Sequence, residues 1–356
     1  MNNNLIIFLT IALLSTFLHS MQKLPTTFED EHIALLQKKL SPNLAQTNTY
    51  HQSPIIGLSF LPYENILVAA SLIKEVAIMD VTTNKILNTI SSPPKRYSKY
   101  YHRWLYSLAL SPAGIMFATG FSDGDIEIHD TKTGTLISKL KDYDDITSLA
   151  FSPSELKLYA ASASSDTISI WDILNNKRLG NIPLKTSFFV DNTHLSVCDN
   201  YLATSDASFT LYNLSSHKPL HLGKSIPFLK SSKFVEFAPN MRSLVVAASS
   251  LKVSRNTIFH LLSLDEHNKF SVKQLVDRSS YGIHRTSDIS FQPNTHTIAT
   301  SSITGTIRLW NRSTCNLIQK WHAHKSRTHT SFSPDGSILT SGAGGGTIKF
   351  WKQPES

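Results

Sequence analysis

The chain has 356 residues, a formal net charge of +8, and a composition that is 41% apolar and 17% charged. This composition is typical of a globular protein and excludes a disordered chain. Two cysteines, Cys198 and Cys315, are too few for a disulfide framework or a four-cysteine zinc site, and the modest positive charge allows anionic partners without requiring nucleic acid.

Residues 1–20 predict a signal peptide or hydrophobic leader. Positions 5–18 are almost wholly apolar and carry no charge. Such a stretch is short for a bilayer span and suits the apolar core of a signal peptide, with Ser20 before a candidate cleavage point. We therefore expect an exported protein, periplasmic or secreted. Because the leader lacks Lys and Arg and Met21 could itself begin the protein, a membrane-anchored or cytoplasmic chain is the alternative.

Residues 21–43 predict a linker that contains one short amphipathic helix. Thr27 can cap the helix, acidic residues fill positions 29–31 of its first turn, and Pro42 follows its end. We expect its apolar side to pack against the main domain. Residues 24–40 also resemble the start of an F-box, and that alternative would make the chain a cytosolic adaptor that docks a partner through this helix.

From residue 55 onward the chain repeats one pattern at intervals of 41 to 54 residues, and we assign residues 44–356 to one repeat domain. Each unit has a short apolar strand, a turn, a strand of small residues, and a strand in which apolar and polar residues alternate. Alternation with a period of two is typical of half-buried strands, and the interval matches one four-stranded propeller blade. The seven turns are marked by Pro62, Pro112, Pro153, Cys198, Pro239, Pro293 and Pro334.

These units resemble the WD-repeat family. The resemblance rests on turns such as "SFSPDG" at 331–336, on "TIxxW" strands, on one Trp-Asp pair at 171–172, and on histidines that precede the turns. It implies an all-β, seven-bladed β-propeller of four-stranded antiparallel blades. It also implies hydrogen-bonded sets of His, Asp, Ser or Thr, and Trp. The candidates for these structural positions are His51, His102, Asp123, Asp166, Trp171, His284, Trp310, His324 and Trp351.

No unit contains the full set of four residue types. Unit 2 has His129 in the place of Trp. Unit 3 combines Ser162 and Asp166 with Trp171 but has no matching His.

The last unit ends in "TIKFWKQPES" and is one strand shorter than the others. A strand edge without a partner exposes backbone groups and invites aggregation, so a ring with one short blade needs a strand from elsewhere. Residues 44–50 precede the first unit and are the spare segment placed to pair with the strand that ends at Trp351. We therefore predict that an N-terminal strand closes the last blade.

The sequence motifs of enzymes and metal sites are incomplete. "GFSDG" at 120–124 has no following helix of the kind that a nucleophile elbow requires, and "LGKS" at 222–225 lacks the earlier glycine of a phosphate-binding loop. Three histidines lie between 322 and 329, but His324 already fills a structural position. We predict no catalysis, no cofactor and no metal. The competing hypothesis is an enzyme whose site is assembled in the central channel from separate blades.

The insertion at 91–106 is the best candidate for a contact surface, because it combines basic and aromatic residues. Tyr, Trp and Arg are enriched in binding hot spots. The candidate partner-binding residues are Arg96, Tyr97, Tyr100, Tyr101, Arg103 and Trp104. We predict a monomeric, non-catalytic scaffold that binds protein partners through the propeller faces. An acidic lipid surface or nucleic acid bound through residues 95–104 is an alternative, as is an ordinary loop packed on its own blade.

Overall fold

Seven antiparallel sheets follow one another around a central axis, and each sheet is one blade. The computed structural model describes residues 43–49, 53–73, 75–91, 103–163, 165–184, 193–205, 209–220, 232–238, 243–249, 257–264, 270–275, 277 and 286–352. The leader at 1–20 and the helix predicted at 24–40 lie outside these residues. Within them, the 3-10 turn Gly344–Gly346 is the only helical element, and no helix is long and apolar enough to cross a membrane.

The strands are numbered in chain order. Blade 1 contains β2 (Ile55–Phe60), β3 (Ile66–Ser71), β4 (Glu75–Asp80) and β5 (Lys85–Ser91). Blade 2 contains β6 (Leu105–Leu110), β7 (Met116–Phe121), β8 (Asp125–Asp130) and β9 (Leu136–Lys141). Blade 3 contains β10 (Ile146–Phe151), β11 (Lys157–Ser162), β12 (Thr167–Asp172) and β13 (Lys177–Pro183). Blade 4 contains β14 (His194–Val197), β15 (Tyr201–Ser205) and β16 (Phe209–Asn213), and a single bridge from Tyr212 to Pro219 occupies the place of its fourth strand.

The remaining blades are formed in the same way. Blade 5 contains β17 (Ser232–Phe237), β18 (Ser243–Ser249), β19 (Thr257–Leu264) and β20 (Phe270–Leu275). Blade 6 contains β21 (Thr286–Phe291), β22 (Thr297–Ser302), β23 (Thr306–Asn311) and β24 (Leu317–His322). Blade 7 contains β25 (His329–Phe332), β26 (Ile338–Gly342), β27 (Thr347–Lys352) and β1 (Asn43–Thr49). In each blade the first of these strands is the inner strand, because it contacts the corresponding strands of the neighbouring blades. The predicted seven-bladed, all-β fold is confirmed.

The N-terminal strand closes the ring as predicted. β1 runs antiparallel to β27, and their register extends from Asn43 opposite Lys352 to Thr49 opposite Thr347. On the other side of blade 7, β25 contacts β2 of blade 1. The first and last strands of the described chain therefore belong to one sheet, and β27 has a partner along both edges.

Apolar side chains of the inner strands pack on the preceding blade. Leu149 and Phe151 of β10 share a buried cluster with Ile126 and Ile128 of blade 2. The middle strands contribute small side chains to these interfaces, which lets neighbouring sheets approach closely. Ala69, Ala118, Ala160, Ala203, Ala247 and Ala299 are all buried. The small-residue strands seen in the sequence are thus the centres of the blades.

Side-chain hydroxyls join successive inner strands. The Oγ atoms of Ser148, Ser196 and Ser290 accept hydrogen bonds of 3.0 to 3.1 Å from backbone N–H groups of the next blade. Ser107 donates in the same direction, to the carbonyl of Ile146 at 3.0 Å. Small polar residues on the inner strands therefore have a structural role, because they link blades where the backbones do not pair with each other.

The structural hydrogen-bond set is clearest in blade 7. The hydroxyl of Ser341 accepts a hydrogen bond of 2.8 Å from Nε1 of Trp351 and lies 2.9 Å from Nε2 of His324. Burial, followed by the charge of Lys349, lowers the pKa of His324 to about 4, so the ring is neutral at pH 7 and can accept a hydrogen bond from the Ser341 hydroxyl. In blade 6, Nε1 of Trp310 donates to Thr300 at 2.9 Å.

The set predicted for blade 3 is wrong. β11 and β12 pair Leu158 with Trp171, so Ala160, rather than Ser162, occupies the position that Ser341 holds in blade 7. Nε1 of Trp171 is buried without a hydrogen-bond partner among the described residues, and Asp166 is exposed. The turn before β12 is one residue longer than its equivalent before β23, so the position equivalent to Thr300 lies 11 residues before Trp171 rather than 10, and Ser162, which lies 9 residues before it, is not at this position.

The closure can be tested with two N-terminal truncations. A variant that lacks residues 1–42 keeps β1, whereas one that lacks residues 1–49 loses it. We expect the second variant to melt at least about 10 °C below the first, because several kcal/mol of pairing and packing are lost and each corresponds to about 2–4 °C in a domain of 150–250 residues. Circular dichroism during heating measures the difference. Equal melting temperatures would show that β1 is dispensable.

The hydrogen bonds of the tryptophan rings can be tested by a reciprocal pair of substitutions. Ser341→Ala leaves the ring nitrogens of His324 and Trp351 without their shared partner and should cost about 1–3 kcal/mol for each. Ala160→Ser offers Trp171 an acceptor and should stabilise by about 0.5–1.5 kcal/mol. Denaturant unfolding measures both values. Destabilisation by Ala160→Ser would mean that packing at this position outweighs the added hydrogen bond.

Candidate functional site

The predicted contact loop is described only at its C-terminal end, where Arg103 is buried. Its guanidinium lies 3.1 Å from Asp123, 3.0 Å from Asp125 and 2.9 Å from Glu127, and it stacks 3.5 Å above the centre of the Phe121 ring. Arg103 is therefore held inside blade 2 rather than presented to a partner. Trp104 begins the approach to β6 and donates its backbone N–H to Ser122.

The other candidates in this loop, Arg96, Tyr97, Tyr100 and Tyr101, lie outside the described residues, so partner binding by the loop stays a prediction. The structural candidates His51, His102 and His284 also lie outside them.

Two lysines complete the charge cluster around Arg103. Lys139 lies 3.0 Å from both Asp125 and Glu127, and Lys141 lies 3.0 Å from Asp125. Burial alone would lower the pKa of Lys139, but hydrogen bonds to the two carboxylates outweigh this effect and raise it. Three cations thus face three anions, and the balance of charge indicates a structural cluster.

An exposed apolar surface occupies one end of blades 1–3. It begins on the outer strands, where the bulged residue is apolar in three successive blades. Leu87, Ile137 and Leu179 hold this position, with side chains 54%, 48% and 49% exposed. Ile86 and Leu136 precede two of them and are similarly exposed.

The turns next to these strand ends extend the surface. Ile115 and Leu156 end the first turns of blades 2 and 3 and are 57% and 51% exposed, while Tyr63 and Leu174 are 86% and 75% exposed. The carbonyl of Leu156 accepts a hydrogen bond from Ile173, which places Leu174 beside it. We call this surface the apolar rim; it consists of Tyr63, Ile86, Leu87, Ile115, Leu136, Ile137, Leu156, Leu174 and Leu179.

Contacts between turns make the apolar rim continuous from blade to blade. The turn of blade 2 lies against that of blade 1, since a Cβ on Gly114 would come within 2.6 Å of Pro62. The backbone N–H of Ala113 donates to the carboxylate of Glu155 in blade 3. In the described parts of blades 6 and 7, by contrast, Ile303 is the only large exposed apolar residue, at 36%.

Lysines surround the apolar rim, whereas its aspartates are engaged in their own turns. Asp80, Asp130 and Asp172 each accept hydrogen bonds from N–H groups two or three residues ahead, and these bonds lower their pKa values. No ion pair links the lysines at this end to any described residue. These lysines are Lys85, Lys132, Lys157 and Lys177.

A second group of residues lies on the inner strands, where sequence analysis identified no site. One strand position holds Gly57, Ser107 and Ser148 in blades 1–3 but His194, Phe234, Asp288 and His329 in blades 4–7. Glu236 lies two residues beyond Phe234. We call His194, Phe234, Glu236, Asp288 and His329 the axial cluster. The sequence signal was the loss of small residues at this one position in four successive units.

Burial changes the ionisation of the axial cluster. The pKa of Glu236 is raised to about 8 by burial and then by the charge of Asp288. The pKa of His194 is lowered to about 4, mainly by burial and against the effect of Asp288. Both side chains are therefore neutral at pH 7. The described residues contain no group of three or more His, Cys, Asp or Glu that could hold a metal ion.

Comparison with known proteins identifies three repeats. The family model "WD domain, G-beta repeat" matches residues 134–172, 278–311 and 315–352. The chain is also similar to a guanine nucleotide-binding protein subunit beta from Arabidopsis thaliana, with 37% identity over 68 residues. This alignment covers 18% of the chain and 18% of the relative's length, so it concerns a small part of both proteins.

Proposed function

We propose that this chain, which is a WD-repeat β-propeller, is a non-catalytic scaffold that binds a protein partner through the apolar rim. The observation that supports this proposal most directly is the continuity of the exposed apolar side chains over blades 1–3. Single exposed apolar residues are normal on soluble proteins, whereas contiguous apolar patches mark interaction surfaces.

The energetics of the apolar rim favour a protein partner. Complete burial of one large aliphatic side chain is worth about 1.5–3 kcal/mol, and Leu174 and Tyr63 are more than half exposed before binding. Several such side chains acting together can offset the loss of translational and rotational freedom on association. Because the residues lie on strand ends and short turns, little conformational entropy is lost when they are covered.

The charges at this end specify the chemistry of the partner. The four lysines lie among charged carboxylates, including those of Asp80, Asp130 and Asp172, so we expect a protein segment whose apolar residues are flanked by charges of both signs. Such complementarity raises the rate of association and makes it sensitive to salt. Acidic lipid is the competing occupant, because it also offers negative charge beside an apolar layer.

The proposal predicts that Leu156→Ser/Leu174→Ser lowers partner affinity by at least about 10-fold, since two exposed anchors are lost. The matched control is Ile73→Ser/Ile303→Ser, which removes two exposed isoleucines (56% and 36%) from turns at the opposite end of their sheets. The tagged full chain would capture partners for identification by mass spectrometry. Affinity for the captured protein would then be measured for all three proteins.

Support requires that the control binds like the unsubstituted chain while the rim variant does not. Equal losses in both variants, or no loss in either, would contradict the proposal. The same proteins should be mixed with vesicles containing phosphatidylserine. Binding that is confined to these vesicles and is lost in the rim variant would assign the surface to lipid and overturn the protein-scaffold proposal.

A further inference from the structure

We propose that the axial cluster binds an ammonium group, supplied either by a small primary amine or by the lysine side chain of a peptide. This site is separate from the apolar rim, since it belongs to the inner strands of blades 4–7 while the apolar rim belongs to blades 1–3. Its two components are a fixed carboxylate and an aromatic wall.

The carboxylate is that of Asp288, and the backbone fixes its orientation. One oxygen accepts the N–H of Ile289 and the other accepts the N–H of Thr330, both at 2.9 Å. Nδ1 of His329 lies 3.6 Å from the carboxylate. A carboxylate oxygen can accept more than one hydrogen bond, so capacity is left for an ammonium donor. The side chains of Asp288 and His329 are 15% and 14% exposed, which leaves them open to a ligand.

The aromatic wall is formed by Phe234 and His194. Their ring centres are 3.7 Å apart, and the planes are inclined by 33°. Nδ1 of His194 is buried and has no hydrogen-bond partner among the described residues. Faces of aromatic rings attract cations, and a neutral imidazole nitrogen can accept a hydrogen bond from one. Both features favour a cationic donor over an anion.

The same strand position holds small residues in blades 1–3, namely Gly57, Ser107 and Ser148. Ser107 and Ser148 link blades through their hydroxyls and are buried, and a Cβ on Gly57 would lie 3.0 Å from Leu108. The ionisable and aromatic groups at this position are therefore confined to blades 4–7.

Charge selects an ammonium group over the alternatives. With Glu236 and His194 neutral, the carboxylate of Asp288 gives the site a negative character. An anion would be repelled by this carboxylate. A metal ion is disfavoured because the described groups do not form a set of three metal-binding ligands. An ammonium group needs only acceptors and an aromatic face, which are the groups present.

Glu236 links binding to pH. Its titratable neighbours on adjoining inner strands are His194 on β14 and Asp288 on β21, with His329 beyond on β25, while β18 contributes no titratable residue. Lys233 lies on β17 itself, at the bulge. An ammonium ion beside Glu236 favours its charged form, so binding releases a proton. Affinity should therefore rise from pH 6.5 to about 8 and become constant above it.

The test is calorimetric titration of the full chain at pH 6.5 and 8.5 with two probes, n-butylammonium chloride and the peptide acetyl-Gly-Lys-Gly-amide. Both amines stay mostly protonated over this range. The neutral controls are n-butanol and the same peptide with norleucine in place of lysine. We expect the amines to bind, the controls not to bind, and affinity to be several-fold higher at pH 8.5. Tighter binding of the peptide would identify a protein ligand, and equal binding a small amine.

Three variants assign the binding to the axial cluster. Asp288→Asn should lower affinity by at least about 10-fold, which corresponds to about 1.4 kcal/mol. Glu236→Gln should remove both the pH dependence and the proton release, which is measured by repeating the titration in buffers of different ionisation enthalpy. Glu64→Gln, at an exposed turn of blade 1, is the control for the same change of charge.

The proposal is overturned if neither amine binds, if Asp288→Asn binds as well as Glu64→Gln, or if the pH dependence persists in Glu236→Gln. Melting curves of all variants identify any loss of folding, and Glu236→Gln, which conserves shape, keeps the test decisive if Asp288→Asn unfolds. None of these measurements involves the apolar rim, so failure here leaves the scaffold proposal standing.

Discussion

The pairing of β1 with β27 is the constraint on which the rest of the structure depends. Each buried cluster between blades draws residues from two neighbouring sheets, as where Leu58 of blade 1 packs with Ile348 of blade 7. A sheet in this arrangement has no complete core of its own, so every blade relies on both neighbours. A ring gives every blade two neighbours only when it is closed, and here closure requires that a strand from the start of the propeller complete its last blade.

Within the closed ring, blades 1–3 and blades 4–7 carry different kinds of residue at equivalent positions of the repeat. Blades 1–3 keep small residues such as Ser107 and Ser148 at the axis, where they bond to the next blade. Their exposed turns and outer strands carry the apolar rim instead. Blades 4–7 place ionisable and aromatic residues at the axis, and the described parts of blades 6 and 7 have little apolar exposure. The positions that deviate from the repeat thus fall into two separate groups, and each group is continuous from blade to blade.

The blade number and the closure could be predicted from the sequence because both follow from periodicity, which many residues report together. Predictions of the role of individual residues within a repeat were less accurate. In blade 3, Ser162 was predicted to belong with Trp171, whereas the register places Ala160 at that position, and the extra residue in the turn before β12 accounts for only one of the two positions between them. In blade 5, the register assigns the tryptophan position to Leu262, which lies opposite Leu244. An insertion in a turn changes the number of residues between two equivalent positions without disturbing the pattern of the strands. The pairing register of the strands is therefore needed to assign individual positions of the repeat.

The axial cluster was not predicted from the sequence, and the reason is different. Each member lies on a separate repeat, and each alone is an ordinary residue of a short strand. Only the register shows that His194, Phe234, Asp288 and His329 share one level around the axis. The exposure of the apolar rim was equally hidden, because alternation of apolar and polar residues does not reveal which strand faces of a blade its neighbours leave uncovered.

The energetics of the axial cluster argue that it is more than a variant of the repeat. Holding Glu236 protonated at pH 7 costs free energy relative to the same carboxyl group in water, since burial opposes its charged form. The equivalent position in blades 1–3 holds Ser59, Ala109 and Ala150, which form sound inner strands without this cost. Glu236 lies on the strand next to that of His194, whose pKa is also shifted, and perturbed ionisable groups placed together are typical of functional sites. Because these groups stand on paired strands fixed by the closed ring, the cluster is already organised before any ligand arrives.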